Sequence, residues 1–298
     1  MGISKKRVFA LTEALLVTFL WSTSYILIKV GLREINPLAF ATYRYIVASV
    51  FLVLPMFYRY KIQMICVDLR RISVFLLLGF TGYFIAQGLQ FLGLYYLPAI
   101  TVTFILNLTP LFVLILGILF LMETPSLTQF LGISLTLSGV LVFFASSILV
   151  FEEILGIIVT IISGIGWAAY MIITRYCLRE DKEDVMVLTT YSMGFGSLML
   201  LGATILTGNN IAVSLSGWAI ILWLSIVNTA LAFVLWNYAL KTLKAYEQSI
   251  LQNTMLIQIT LLAYVFLDET LSLHKVLGII MVFIGVLMVQ LRSSVKTM

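Results

Sequence analysis

The residues of this chain able to do chemistry are amides, hydroxyls and aromatic rings set singly in long apolar stretches. Trp21, Ser24 and Tyr25 fall at i, i+3 and i+4 and so share one helix face. Trp167 and Tyr170 repeat that spacing, and Tyr83, Gln87 and Gln90 form a second polar stripe. Asn107 and Thr109 stand ahead of Pro110, while Asn228, Trp236, Asn237, Gln252 and Asn253 fall in two later stretches. Such groups bind a solute reversibly, by hydrogen bonding and stacking. An aromatic wall carrying hydroxyls suits a small amphipathic organic molecule. The competing reading is helix-to-helix hydrogen bonding, worth about 1 kcal/mol per contact, with the Trp residues in an interfacial belt. Both Trp residues lie deep within their stretches, which favours a cavity wall.

Three charges also lie within apolar stretches. Arg44 is roughly 10 Å deep, counted from Pro37 at the rise of a helix, and could bind a substrate carboxylate or pair between helices. Glu13 could carry a proton from its position near one end, or contact Lys5, Lys6 and Arg7. Glu247, near the start of a later stretch, could couple protons or complement a helix dipole. Glu123 and Glu269 end two stretches and are read as loop anchors.

Polar side chains placed this way need helices in lipid to hold them. Of 298 residues, 62% are hydrophobic and 10% charged, against roughly half and a quarter in a soluble domain. A bilayer core takes roughly 20 apolar residues as a helix, and the charge-free stretches repeatedly reach that length. The sequence predicts an all-α membrane protein with spans near 8–31, 37–58, 72–95, 98–121, 126–147, 154–177, 185–207, 217–240, 245–267 and 272–291. Pro37, Pro98 and Pro125 open new helices, where a missing N–H costs little. The basic start runs into apolar text without a small-residue cleavage pattern, so the first span is expected to be retained.

With the N-terminus inside, alternation puts all eighteen Lys and Arg residues on the cytoplasmic side except Lys29, Arg33, Lys275 and the intramembrane Arg44. By the positive-inside rule both termini are cytoplasmic, in the plasma membrane. The excess of basic charge then reflects contact with anionic lipid and not with nucleic acid. One His and two Cys supply no nucleophile–base pair and no metal cluster. No phosphate-binding Gly-rich loop is present, so neither an enzyme nor a direct ATP user is expected, and no cofactor.

The sequence also says the same thing twice, at a step of 146 residues. Trp21 falls on Trp167, Lys29 on Arg175, Tyr45 on Tyr191, Asn107 on Asn253, Gly132 on Gly278 and Gly139 on Gly285. The copies are 8–147 and 154–291, each with five spans. Five is odd, so the second copy enters from the opposite face. Many secondary transporters are built this way, with a midplane site exposed to each side in turn. The glycine pairs mark two helices that pack closely, within a monomer or across a homodimer.

Two five-helix repeats, Trp21-Ser22-x-Ser24 in the first helix, Arg44 in the second, and Pro110, Glu123, Gly132 and Gly139 echoed by Glu269, Gly278 and Gly285 resemble the drug/metabolite transporter superfamily, EamA type. The resemblance covers essentially the whole chain. It implies ten helices around a central cavity and export or import of metabolites, driven by proton exchange or by the substrate gradient alone. Leu256 stands where the first copy has Pro110, and Thr follows both Glu123 and Glu269 where many members have Arg. The expected substrates are amino acids or similar compounds. Nucleotide sugars, other phosphorylated metabolites and lipid scrambling are the alternatives. Single cysteines at 29–36 and at 175–184 are expected to react with an impermeant thiol reagent from opposite faces of the membrane. Labelling from one face would contradict the inversion.

Overall fold

The computed structural model describes residues 5–59, 68–122, 125–143, 145, 151–179, 182–208, 213–268 and 272–293. Glu123 and Glu269 lie outside them. The described residues form ten helical rods and no strand: α1 Lys5–Gly31, α2 Pro37–Arg59, α3 Leu69–Tyr96, α4 Ala99–Leu121, α5 Leu127–Phe143, α6 Phe151–Leu178, α7 Val185–Leu206, α8 Leu215–Thr242, α9 Ala245–Phe266 and α10 Leu273–Ser293. All but α5 and α10 reach the length and apolar content that cross a bilayer; those two contain shorter apolar helices. Local chemistry sets several starts. The Asp68 carboxylate accepts from Arg71 N, that of Asp184 from Met186 N and Val187 N, and the Ser214 hydroxyl from Gly217 N. Each satisfies N–H groups that a helix start leaves unpaired.

The duplication is written into the irregularities as well as the rods. α4 is interrupted at Asn107 and Leu108, and α9 at the equivalent Asn253. Pro110 sits in the first turn after its break. The same break without proline in α9 shows that Pro110 is not its sole cause. α3 and α8 both carry wider π-helical segments, Gly79–Gly88 and Ile226–Leu231, which overlap under the 146-residue step. Met122 and Asp268, another equivalent pair, both end their helices at φ 56°.

Contacts at the helix ends establish the inversion. At the end of α1, Lys29 Nζ donates to the carbonyls of Leu94 and Leu97 at the end of α3, at 2.8 and 2.9 Å. At the end of α6, Arg175 Nη1 donates to those of Leu240 and Lys241 at the end of α8, at 2.9 and 2.8 Å. The start of α3 meets the end of α6 through Arg71 and Glu183, 2.7 Å apart. Lys29 and Arg175 therefore mark opposite faces. Arg7 and Glu247 pair at 3.3 Å where α1 and α9 begin, on the Arg175 face. Helix contacts follow the same twofold pattern: α1 touches α8 and α9 as α6 touches α3 and α4, α2 touches α7, and α5 lies along α10.

The α5–α10 seam is where small residues decide the packing. A Cβ on Gly139 would lie 2.8 Å from the Gly278 carbonyl oxygen, and one on Gly285 would lie 2.6 Å from that of Gly132. These are backbone atoms, so the helices must move apart to admit it. Gly139→Val is expected to lower stability by about 1–3 kcal/mol, measured as a fall in unfolding temperature of the detergent-solubilised protein. A change within error would mean that this seam is not a packing surface.

Candidate functional site

The interior of the bundle divides into a polar cavity and an aromatic plug. The cavity, whose atom-free space of about 410 Å³ includes what opens to solvent, is lined by Trp21, Ser24, Tyr25, Arg44, Gln87, Gln90, Leu106, Ser163, Trp167, Gln252 and Met255. A smaller space of about 210 Å³ adjoins it, sharing Tyr25, Leu106, Gln252 and Met255 and adding Thr103, Asn107 and Asn253. The two helix breaks thus end at the cavity. Asn107 Oδ1 and Asn253 Nδ2 are buried there with no hydrogen-bond partner among the described residues.

Arg44 is 2% exposed. Its Nε donates to Thr229 Oγ1 at 2.6 Å and its Nη2 to the Asn228 carbonyl at 3.2 Å. Its guanidinium lies 5.6 Å from the Tyr45 ring centre and 5.8 Å from that of Phe91. Among the described residues no carboxylate pairs with it and no hydrogen bond is made by its Nη1. An intramembrane cation held by neutral groups alone keeps most of its desolvation cost.

Below the cavity Trp21 and Trp167 meet edge to face at 5.5 Å. The Trp21 indole donates to the Asn228 carbonyl at 3.1 Å, and that of Trp167 to Gln252 Oε1 at 2.8 Å. Behind this pair lies the plug. Phe233 stands 5.0 Å from Tyr83, 5.4 Å from Trp21 and 5.8 Å from Trp167, while Trp236 stands 4.8 Å from Trp21. Tyr83 and Tyr170 hydroxyls lie 3.2 Å apart, and Asn237 Nδ2 donates to Tyr170 and to Thr189.

Sequence reasoning placed the polar groups of helices 3, 4, 8 and 9 around one cavity, and the structure redraws this list. Trp21, Ser24, Tyr25, Arg44, Gln87, Gln90, Trp167 and Gln252 line the main cavity, with Asn107 and Asn253 in the adjoining space. Tyr83, Tyr170, Asn228, Trp236 and Asn237 do not line either space. They are buried in the plug or bonded to its frame, Asn228 Nδ2 to the Leu20 carbonyl and to Thr23, so α8 supports the cavity without lining it. The reason lies in the duplication. Ser24, Gln87 and Gln90 have Tyr170, Phe233 and Trp236 as their equivalents, so the same three positions are small or polar in one copy and aromatic in the other. Ser163, Thr103, Leu106 and Met255 were not expected on the wall, and Phe233 was not expected at the centre of the plug; only the repeat register signals it.

The proton-coupling candidates lie elsewhere. Glu247 pairs with Arg7 and accepts from Lys244 N at 3.2 Å, as an acid in the first turn of a helix does. Glu13 is half-buried in α1, away from the lining residues. On the Lys29 face a separate, more open surface pocket is lined by Lys29, Leu32, Arg33, Leu94, Tyr95, Tyr96, Leu97, Pro98 and Leu267.

A model of the EamA-like transporter family matches this chain twice, at residues 8–145 and 154–291. Among related sequences, an uncharacterized transporter of Archaeoglobus fulgidus is 27% identical over 91% of this chain and 93% of its own. A protein of Salmonella typhimurium, named "Probable amino-acid metabolite efflux pump", is 26% identical over 91% of each chain. One solved crystal structure superimposes with a TM-score of 0.79 at 16% identity, over 96% of this chain and 98% of that one, a likeness that bears on the fold alone.

The division between plug and wall predicts opposite costs. Phe233→Ala is expected to destabilise the protein by about 3 kcal/mol, as an emptied core site does. Gln90→Ala, on the cavity wall, is expected to stay within about 0.5 kcal/mol of the parent. Thermal unfolding of both variants in one detergent checks this; equal losses would erase the distinction.

Proposed function

Since the chain belongs to the EamA-like transporter family, we propose that it is a secondary active exporter of small amphipathic metabolites, amino acids or related compounds, working by alternating access. The observation that carries this reading is the unpaired Arg44 on a polar cavity floored by a tryptophan pair, at the junction of two inverted repeats. In this account residues 8–147 and 154–291 are the two units that exchange conformations. The cavity lies on the Lys29 side of the tryptophan pair and the aromatic plug closes the Arg175 side. With both termini cytoplasmic in the plasma membrane, this is an outward-facing arrangement. Rocking the repeats would open the plug and close the Lys29 side.

Substrate binding is assigned to Trp21, Ser24, Tyr25, Arg44, Gln87, Gln90, Trp167 and Gln252, with Asn107 and Asn253 beside them. Tyr83, Tyr170, Asn228, Trp236 and Asn237 are assigned to the closing element. The amphipathic character of the substrate follows from the wall, where rings stack on apolar surface while Arg44 offers a charge-assisted hydrogen bond. A nucleotide sugar is a poorer fit, because a pyrophosphate would meet one cation where it needs several. The relative named as an amino-acid metabolite efflux pump supports the substrate class.

Reconstituted in liposomes, the protein is expected to take up labelled amino acids or their metabolites, and Arg44→Ala and Trp21→Ala are each expected to reduce uptake at least tenfold. Unchanged transport in both variants would remove the site assignment. If Glu13 carries the coupled proton, an imposed pH gradient changes uptake in the parent and not in Glu13→Gln. Uptake indifferent to the gradient in both would exclude that role.

A further inference from the structure

We propose that the cavity selects monoanionic amphipathic acids over zwitterions and cations, an inference that rests on the transport role above and names the substrate class of that site. Charge balance in a largely buried space decides which ligand it favours. Arg44 is the one cation among the residues lining the two joined spaces, and no Asp or Glu lines either. Its bonded partners, a hydroxyl and a carbonyl, are neutral. The carboxylates nearest along the chain to the lining residues are elsewhere: Glu34 accepts from the exposed Ser214 hydroxyl, Glu247 is paired with Arg7 and Glu13 is half-buried in α1. Burying a charge is costly unless an opposite charge accompanies it, so the complex with lowest charging cost is that with a single negative charge.

The unpartnered donors suit that ligand. Arg44 Nη1, the Tyr25 hydroxyl and the Gln90 amide line the cavity without a protein partner among the described residues. A carboxylate accepts from groups of this kind, and charge-assisted bonds are the strong ones. An ammonium carried into the same cavity would add a second positive charge and meet neutral acceptors such as Asn107 Oδ1. The surface pocket on the Lys29 face repeats the bias, with Lys29 and Arg33 among its lining residues and no carboxylate among the described ones. Steering by charge of one sign raises the local concentration of the opposite sign.

The test compares three solutes with one ring and a two-carbon spacer to the terminal charged group: 3-phenylpropionate, phenylalanine and phenethylamine, which carry net charges of −1, 0 and +1 near neutral pH. The full-length protein in phosphatidylcholine liposomes is assayed for uptake of each and for quenching of its tryptophan fluorescence. The acid is expected to bind at least tenfold more tightly than phenylalanine, and phenethylamine more weakly than either. Arg44→Gln, which keeps hydrogen-bond donors, is expected to bring the acid down to the level of phenylalanine, whereas Arg44→Lys keeps the ranking and controls for folding. Phenylalanine binding as tightly as the acid, or a ranking unchanged in Arg44→Gln, would overturn the charge selectivity while leaving transport in place. Failure of all three solutes to bind or enter would remove the transport cavity itself, and this inference with it. Added phosphatidylglycerol leaves the affinity for the acid unchanged if the ligand is a free acid. Loss of affinity by competition would assign the site to a lipid headgroup and overturn the proposal.

Discussion

A helix bundle in lipid has no water to satisfy stray polar groups, so a chain that duplicates five crossings must set its second copy upside down and pair its polar groups across the join. The rest of this structure depends on that constraint. Lys29 and Arg175 hold the end carbonyls of α3 and α8 on opposite faces, each satisfying backbone acceptors that a helix end leaves open. The breaks in α4 and α9 come together beside the cavity for the same reason, and the two tryptophans meet across the join.

The copies differ where function asks for a difference. A cavity made of identical halves would have no side to prefer. Here Ser24, Gln87 and Gln90 put small or polar groups on the cavity wall, while Tyr170, Phe233 and Trp236 fill the equivalent volume with rings. In the proposed transport cycle, the resting direction would be set by side-chain volume at these paired positions. The aromatic plug is held by ring contacts and by hydrogen bonds between Tyr83, Tyr170 and Asn237. Contacts of that kind are individually worth only about 1 kcal/mol in a membrane, an energy small enough for ligand binding to oppose.

Spans and duplication were legible because apolar run length and repeat register are properties of the chain alone. The partition of polar residues between wall and plug was not, because Gln87 and Asn237 look alike until the neighbouring helices are placed. Gln87 shares its side-chain oxygen with Tyr45 and still lines the cavity, whereas Asn237 is spent on Tyr170 and Thr189. The mid-helix break in α9 had no proline to announce it, and Ser163, a small residue that donates across to the Ala86 carbonyl of α3, gives no signal at all. The pairing of Ser24, Gln87 and Gln90 with three rings stood in the sequence, and acquires meaning only once the helices face one another.

The central claim is that one cavity opens to each side of the membrane in turn. A single cysteine at Ser24, with Cys66 and Cys177 replaced by Ser, can be challenged with an impermeant thiol reagent in right-side-out and in inverted vesicles. The account predicts reaction in both preparations, and protection in both by a transported solute. Reaction confined to one preparation, whatever solute is present, would contradict it.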